Sequence, residues 1–218
     1  MSPNNTDPAI GIAILAKAPL PGYAKTRLIP QLGAAGAAAL QDWLLQRAVH
    51  SALTAGLGPV SLWTTPDDSH PAFQRHAATL SLRRQPDGDL GQRMLTAIAQ
   101  SPTAAGTLVI GTDCPALTAD HLRQAATALQ THDATLIPAE DGGYVLIGLR
   151  QARPAVFADI AWSTDQVLAE TRRRLQQNGL SLFEFSPLWD VDRAADFLRL
   201  LGLHPELAGL GEPCAVTP

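Results

Sequence analysis

The strongest constraint on this chain is an alternation of two kinds of segment. Short apolar runs, AIGIAILA (9–16), PVSLWTT (59–65), TLVIGTD (107–113), ATLIPA (134–139) and YVLIGL (144–149), are separated mostly by longer stretches with helical spacing. The central runs are apolar throughout, as strands must be when both faces of their sheet are covered. LSLRRQ (80–85) predicts a short edge strand, and LSLFEF (180–185) a last strand. Helices are expected over 33–53, 89–100, 118–130, 163–179 and 194–202. Leu40, Leu44 and Ala48 repeat at helical spacing, Thr118 is placed to N-cap, Ser163 with Gln166 has the capping-box pattern, and Gly179 is a stop signal. This order predicts an α/β protein with a mostly parallel sheet between two layers of helices. The EDGG turn (140–143) between two apolar runs breaks the pattern and predicts one antiparallel element. No repeat, linker or low-complexity stretch divides the chain, so 1–218 reads as a single domain, with an irregular Pro- and Gly-rich tail after Gly202.

Composition narrows the partners. With 218 residues, 46% of them hydrophobic, the chain can bury a core. A formal net charge of −4 argues against a nucleic-acid partner, which calls for a basic face. Cys114 and Cys214 lack a metal-ligand spacing and fit a reducing compartment. MSPNNTDP lacks the basic start of a secretory signal, and no apolar run approaches the ~20 residues that span a bilayer. A soluble cytoplasmic protein with no membrane span is expected.

The distribution of charge is more telling. AKAPLPGYAKTRL (16–28) follows the first apolar run and holds Lys17 and Lys25, the only lysines in the chain; the other fourteen of its sixteen basic residues are arginines. This is not a P-loop, because Gly22 is followed by Tyr23 and Ala24 before Lys25-Thr26, and no G-x-G-x-x-G follows the first strand. Pro19 and Pro21 fix φ and Gly22 can turn the chain, which makes a stiff, wide loop carrying three cations with Arg27. Lysine is a compact charge on a flexible stem and suits a phosphate. The rival reading is chance clustering in an exposed loop; the absence of lysine elsewhere favours phosphate binding. From its loop position, Lys25 is expected to be removable with little loss of stability.

In a sheet of this class, ligands bind beyond the carboxyl ends of the strands. The Lys-bearing loop, Asp113, Glu140 with Asp141, and Asp190 with Asp192 all fall there. A positive loop facing acids suggests an anionic ligand bridged to them by a metal ion, and oxygen ligands suit Mg²⁺ or Mn²⁺.

Six blocks in order carry a resemblance: KAPLPGYAKTRL (17–28), GDLGQRM (88–94), IGTDCPAL (110–117), PAEDGGYVLIGL (138–149), IAWSTDQVL (160–168) and DVDRAADF (190–197). From about Ile10 to Leu201 the chain resembles the DUF2064 family of small GT-A-type, glycosyltransferase-like proteins associated with arsenosugar biosynthesis. More distantly it is similar to sugar-nucleotide, molybdopterin and deazaflavin-pathway nucleotidyltransferases. The resemblance implies a three-layer α/β/α GT-A fold, that of nucleotide-diphospho-sugar transferases, with a mostly parallel mixed sheet. It implies that Ala16, Lys17, Gly22, Lys25 and Arg27 wrap the nucleotide and its phosphates, that Gly91 permits close approach of the base, and that Arg93 lies nearby. It implies Asp113 as a metal ligand. GTDC holds one acid where these enzymes have DxD, so the second ligand is expected from DVD (190–192), at Asp192.

Each assignment has a rival. Asp113 can simply cap a turn, and Asp192 can N-cap the last helix. EDGG can be only a hairpin turn, and WST (162–164) only a helix start beside a buried Trp. Cys114 reads as a small buried residue beside the site.

The chemistry expected is metal-dependent transfer from a nucleotide-activated donor to a small-molecule acceptor, a sugar leaving its nucleoside diphosphate. Lys25 would serve the phosphates, and Asp141 would act as base or acceptor-orienting group. Transfer of a nucleotidyl group from a nucleoside triphosphate to a phosphorylated acceptor is the alternative, and a non-catalytic nucleotide-binding module is a third reading.

Overall fold

The sheet has seven strands, and its order follows from which runs are apolar on both faces. The computed structural model describes residues 9–101 and 103–211; MSPNNTDP, Pro102 and the tail with Cys214 lie outside the described residues. The strands are β1 (Gly11–Lys17), β2 (Val60–Thr65), β3 (Ser81–Arg84), β4 (Thr107–Ile110), β5 (Ala134–Pro138), β6 (Tyr144–Leu149) and β7 (Leu182–Glu184). They lie in the order β3-β2-β1-β4-β6-β5-β7. β6 runs antiparallel to β4 and β5, and the other pairs are parallel. β4 and β5, buried at every residue, are central, whereas the largely exposed β3 takes one edge. The antiparallel element follows from the EDGG turn, which is too short for a crossover.

The helices are α1 (Ile29–Ala55), α2 (Pro71–Gln74), α3 (Leu90–Ala99), α4 (Ala119–Ala128), α5 (Pro154–Phe157), α6 (Val167–Gln177) and α7 (Ala194–Leu203). On one face of the sheet, Ile12, Ile14, Leu108 and Ile110 pack with Leu45 and Val49 of α1 and Leu122 and Ala125 of α4. On the other, Ala13, Val109, Leu136 and Ile147 pack with Met94 and Ile98 of α3, Phe157 of α5 and Leu175 of α6. The α/β/α layering is thus the one implied by the resemblance. A third cluster joins the start of α1, Trp189, Val191 and α7.

Several boundaries move. β4 ends at Ile110, so Asp113 sits in the turn beyond the strand rather than closing it. α1 begins at Ile29, with Pro30 in its first turn, and Gly33 (φ 66°, ψ 168°) interrupts it where the sequence places its start. The expected capping box at Ser163 does not form. Ser163 has φ 66°, and Thr164 turns the chain instead, its Oγ1 donating to Ala161 O (2.7 Å) and accepting from Gln166 N (3.3 Å). α6 therefore starts at Val167. Its stop is as expected: Gly179 (φ 65°) and Leu180 donate to the carbonyls of Gln176 and Leu175. Part of the tail is ordered, with a 3₁₀ segment at Pro205–Gly211 lying so close to α1 that a Cβ on Gly36 would sit 2.0 Å from Leu210 O.

Candidate active site

A staggered sheet edge makes the cleft. β1 runs to Lys17, opposite Thr65 of β2, but β4 stops at Ile110, opposite Ile14. Leu15, Ala16 and Lys17 therefore project beyond β4. The chain leaving β7 then crosses this edge: Leu188 N donates to Pro138 O (2.9 Å), Glu140 N to Leu188 O (3.1 Å) and Val191 N to Asp113 O (2.9 Å). These bonds hold Asp190 and Asp192 beside Asp113.

The cleft has a volume of about 690 Å³. Among residues expected from the sequence, Ala16, Lys17, Lys25, Arg27, Arg93, Asp113, Asp141 and Asp192 line it, and Gly22 and Gly91 do not. Gly22 is an exposed turn glycine (φ 79°). Gly91 lies buried in α3, where an added Cβ would meet Trp162 Cζ2 at 2.5 Å. The close approach it permits here is made by an indole ring of this chain. Glu140 pairs with Arg199 (2.9 Å), leaving Asp141 as the acid of EDGG in the cleft. Asp141 Oδ1 accepts from Gly143 N (2.9 Å), so the turn orients the carboxylate as well as reversing the chain.

The two lysines differ. Lys17 is exposed, its Nζ 5.9 Å from the Tyr23 ring centroid. The Lys25 side chain is 5% exposed, and its ammonium lies 2.6 Å from Asp113 Oδ1 and 3.6 Å from Asp192 Oδ1. It also donates to Val191 O (2.6 Å). Arg27, largely exposed, holds the other Asp192 oxygen at 3.0 Å. The start of α7 is satisfied by Asp196, whose carboxylate accepts from Asp192 N (3.1 Å) and Arg193 N (2.7 Å). The Asp192 carboxylate faces Lys25 and Arg27 instead of capping the helix.

Four carboxylates crowd the cleft floor. Burial, and then the charges of Asp141, Asp192 and Asp113, push the Asp190 carboxyl up to about 6. Burial likewise pushes the Cys114 thiol up to about 12, which leaves it protonated and inert at neutral pH. Two buried glutamines support the walls and carry no charge pattern that would flag them. Gln85 Nε2 donates to Ala16 O (3.2 Å) and Trp63 O (2.8 Å), and its Oε1 accepts from Arg93 (3.4 Å). Gln41 Nε2 donates to Thr112 Oγ1 (3.0 Å); its signal is a polar residue on the apolar face of α1. Tyr144, Trp162 and Asp165 line the far wall.

Among the described residues, no three His, Cys, Asp or Glu side chains come together as a metal site. Asp113 and Asp192 nonetheless present oxygen donors to one cationic position, which Lys25 holds here. That donor chemistry fits a hard divalent ion whose remaining ligands are water and phosphate.

A family model described as "Uncharacterized protein conserved in bacteria (DUF2064)" matches residues 48–164. No curated protein sequence matches the chain. Among solved structures, a candidate nucleotide-diphospho-sugar transferase from Desulfovibrio desulfuricans G20 is similar at 26% identity and a TM-score of 0.76, covering 92% of this chain and 95% of that one. The 4-diphosphocytidyl-2C-methyl-D-erythritol synthase of Anaerococcus prevotii DSM 20548 shares the fold at 10% identity and a TM-score of 0.60 (91% and 100% covered). So does Rv0371c of Mycobacterium tuberculosis H37Rv, solved in complex with manganese, at 17% identity and a TM-score of 0.51 (90% and 99% covered). The fold is that of the nucleotide-diphospho-sugar transferases.

Proposed function

Because the chain belongs to the DUF2064 family, whose model covers more than half of it, we propose that it is a metal-dependent transferase acting on a nucleotide-activated donor. The group moved is a sugar, passed from a nucleoside diphosphate to a small acceptor. One observation carries this reading: a single cleft at the carboxyl edge is lined by Lys17, Arg27 and Arg93 together with Asp113, Asp141, Asp190 and Asp192. Such a combination of charges suits a diphosphate held by fixed cations and a metal ion on the acids.

Lys17, exposed at the end of β1, is free to meet phosphate oxygens, and the exposed Arg27 would do so by exchanging its pairing with Asp192. A divalent ion held by Asp113 and Asp192 would neutralise charge developing on the leaving nucleoside diphosphate. Asp141, its Oδ1 engaged by Gly143 N, keeps the other oxygen for the acceptor hydroxyl. As the acceptor oxygen bonds to the sugar C1, the C1–O bond to the diphosphate breaks and the hydroxyl proton passes to Asp141. Trp162, Ser163, Thr164 and Asp165, which also line the cleft, provide the acceptor side.

Nucleotidyl transfer is the second reading, favoured by fold likeness to the 4-diphosphocytidyl-2C-methyl-D-erythritol synthase. Product analysis separates the two. The protein is incubated with Mn²⁺ and either nucleoside diphosphate sugars plus hydroxyl acceptors, or nucleoside triphosphates plus sugar phosphates. Release of nucleoside diphosphate supports glycosyl transfer. Release of pyrophosphate supports the second reading, and turnover with neither donor set contradicts both.

A further inference from the structure

Lys25 is held by its backbone, its burial and its partners. Its backbone has φ 49° and ψ 41°, a left-handed conformation that a side-chain-bearing residue adopts at a cost. Its side chain is 5% exposed, and its ammonium donates to Val191 O (2.6 Å) and forms ion pairs with Asp113 Oδ1 (2.6 Å) and, at longer range, Asp192 Oδ1 (3.6 Å). The ammonium ties three separate segments together: the loop after β1, the turn after β4 and the chain between β7 and α7. In this arrangement the ammonium is engaged by protein oxygens. The position it fills is the one that Asp113 and Asp192 would offer to a metal ion.

We propose that Lys25 is a tethered counter-ion that occupies the cation position of the free protein, so that a divalent ion and the Lys25 ammonium compete for one gap between Asp113 and Asp192. The inference deepens the metal-dependent reading above and rests on it. Two cations cannot share a gap of this size, because like charges at contact distance repel. Entry of the ion therefore expels the ammonium, and the flexible four-carbon stem carries it toward the cleft, where the phosphates would lie. Loading the metal and freeing a phosphate-binding lysine become one exchange. This also gives a reason for lysine at this position in a chain that otherwise uses arginine: an ammonium is a compact point charge that can stand in for a metal ion, and a planar guanidinium cannot.

With only two lysines, the wild-type protein reports on this directly. A brief pulse of acetic anhydride, read by peptide mass spectrometry, is expected to label Lys17 with or without Mn²⁺. Lys25 is expected to be protected in the metal-free protein and to become at least 10-fold more reactive at saturating Mn²⁺, with saturation followed by electron paramagnetic resonance. In parallel, Lys25→Met is expected to bind Mn²⁺ alone at least 10-fold more tightly than Lys17→Met, which loses the same charge from the end of β1. Unchanged Lys25 protection at saturating Mn²⁺, or absence of Mn²⁺ binding, overturns the proposal. So does a Lys25→Met affinity no greater than that of Lys17→Met. Binding of nucleoside diphosphate sugars, measured on the same samples, bears on the transferase reading alone.

Discussion

Lys25 Nζ lies 2.6 Å from Asp113 Oδ1, joining a loop after the first strand to a turn after the fourth. The loop position alone suggests a dispensable surface charge, but 5% exposure and a second bond to Val191 O make it a structural tie. Lys25→Ala is expected to cost about 1–3 kcal/mol in metal-free protein, because it strips a largely buried donor from groups that need it. Urea unfolding with a chelator present measures this; a loss below a few tenths of a kcal/mol would restore the surface-charge view.

Asp196 takes the capping role that the sequence left open at Asp192. Asp196 satisfies the backbone at the start of α7, and Asp192 faces Lys25 and Arg27. Asp192→Asn is expected to lower Mn²⁺ affinity and turnover at least 10-fold while changing stability little. Asp196→Ala is expected to cost about 1 kcal/mol of stability and leave Mn²⁺ affinity intact. Calorimetric titration and thermal unfolding of both variants test the division.

Gly91 and Trp162 are expected to behave as a packing pair. An added Cβ would meet the indole at 2.5 Å, and Phe157 Cβ at 3.1 Å leaves little room to give. Gly91→Ala gains about 1 kcal/mol of helix propensity but overpacks at a cost of about 1–3 kcal/mol, so a net loss is expected. In a Trp162→Leu background the loss should shrink, which a double-mutant cycle measures.

Asp190 gives a pH signature. In the unfolded chain its carboxyl ionises near 3.8, and in the folded protein it is held up to about 6, so above that pH its ionisation opposes folding. Asp190→Asn is expected to stabilise the chelated protein at about pH 7 by of order 1 kcal/mol, a figure reduced for partial solvent access. The gain should fade as pH drops through about 6 and vanish below about 4. A pH-independent difference would assign the effect to packing instead.

Much of the scaffold was legible because burial on both faces writes itself into sequence as unbroken apolar runs. TLVI, ATLIP and YVLIGL were found within a few residues for that reason. Local chemistry misled at Ser163, where a capping pattern sits on a residue with φ 66°; the turn made by Thr164 overrode it. The short helices α2 and α5 carry too few residues for any periodicity to show. At the site, the acids and lysines stood out by type and by position after strands. What sequence could not show was distance: that Lys25 turns back onto Asp113, that Asp190 is the acid of the four whose carboxyl is pushed up, and that Gly91 packs close to a tryptophan. Gln85 carries no such signal, because a glutamine at a strand end looks like any solvated residue, although here it is buried against Ala16 and Trp63 carbonyls.

The most direct test of the central claim is calorimetric titration of the wild-type protein and Asp113→Asn with uridine, guanosine, thymidine, adenosine and cytidine diphosphate sugars, each with Mn²⁺ and with chelator. The account predicts that at least one sugar nucleotide binds the wild type, that Mn²⁺ tightens this binding at least 10-fold, and that Asp113→Asn loses the enhancement. Binding of none of them, or equal Mn²⁺ enhancement in Asp113→Asn, would contradict it.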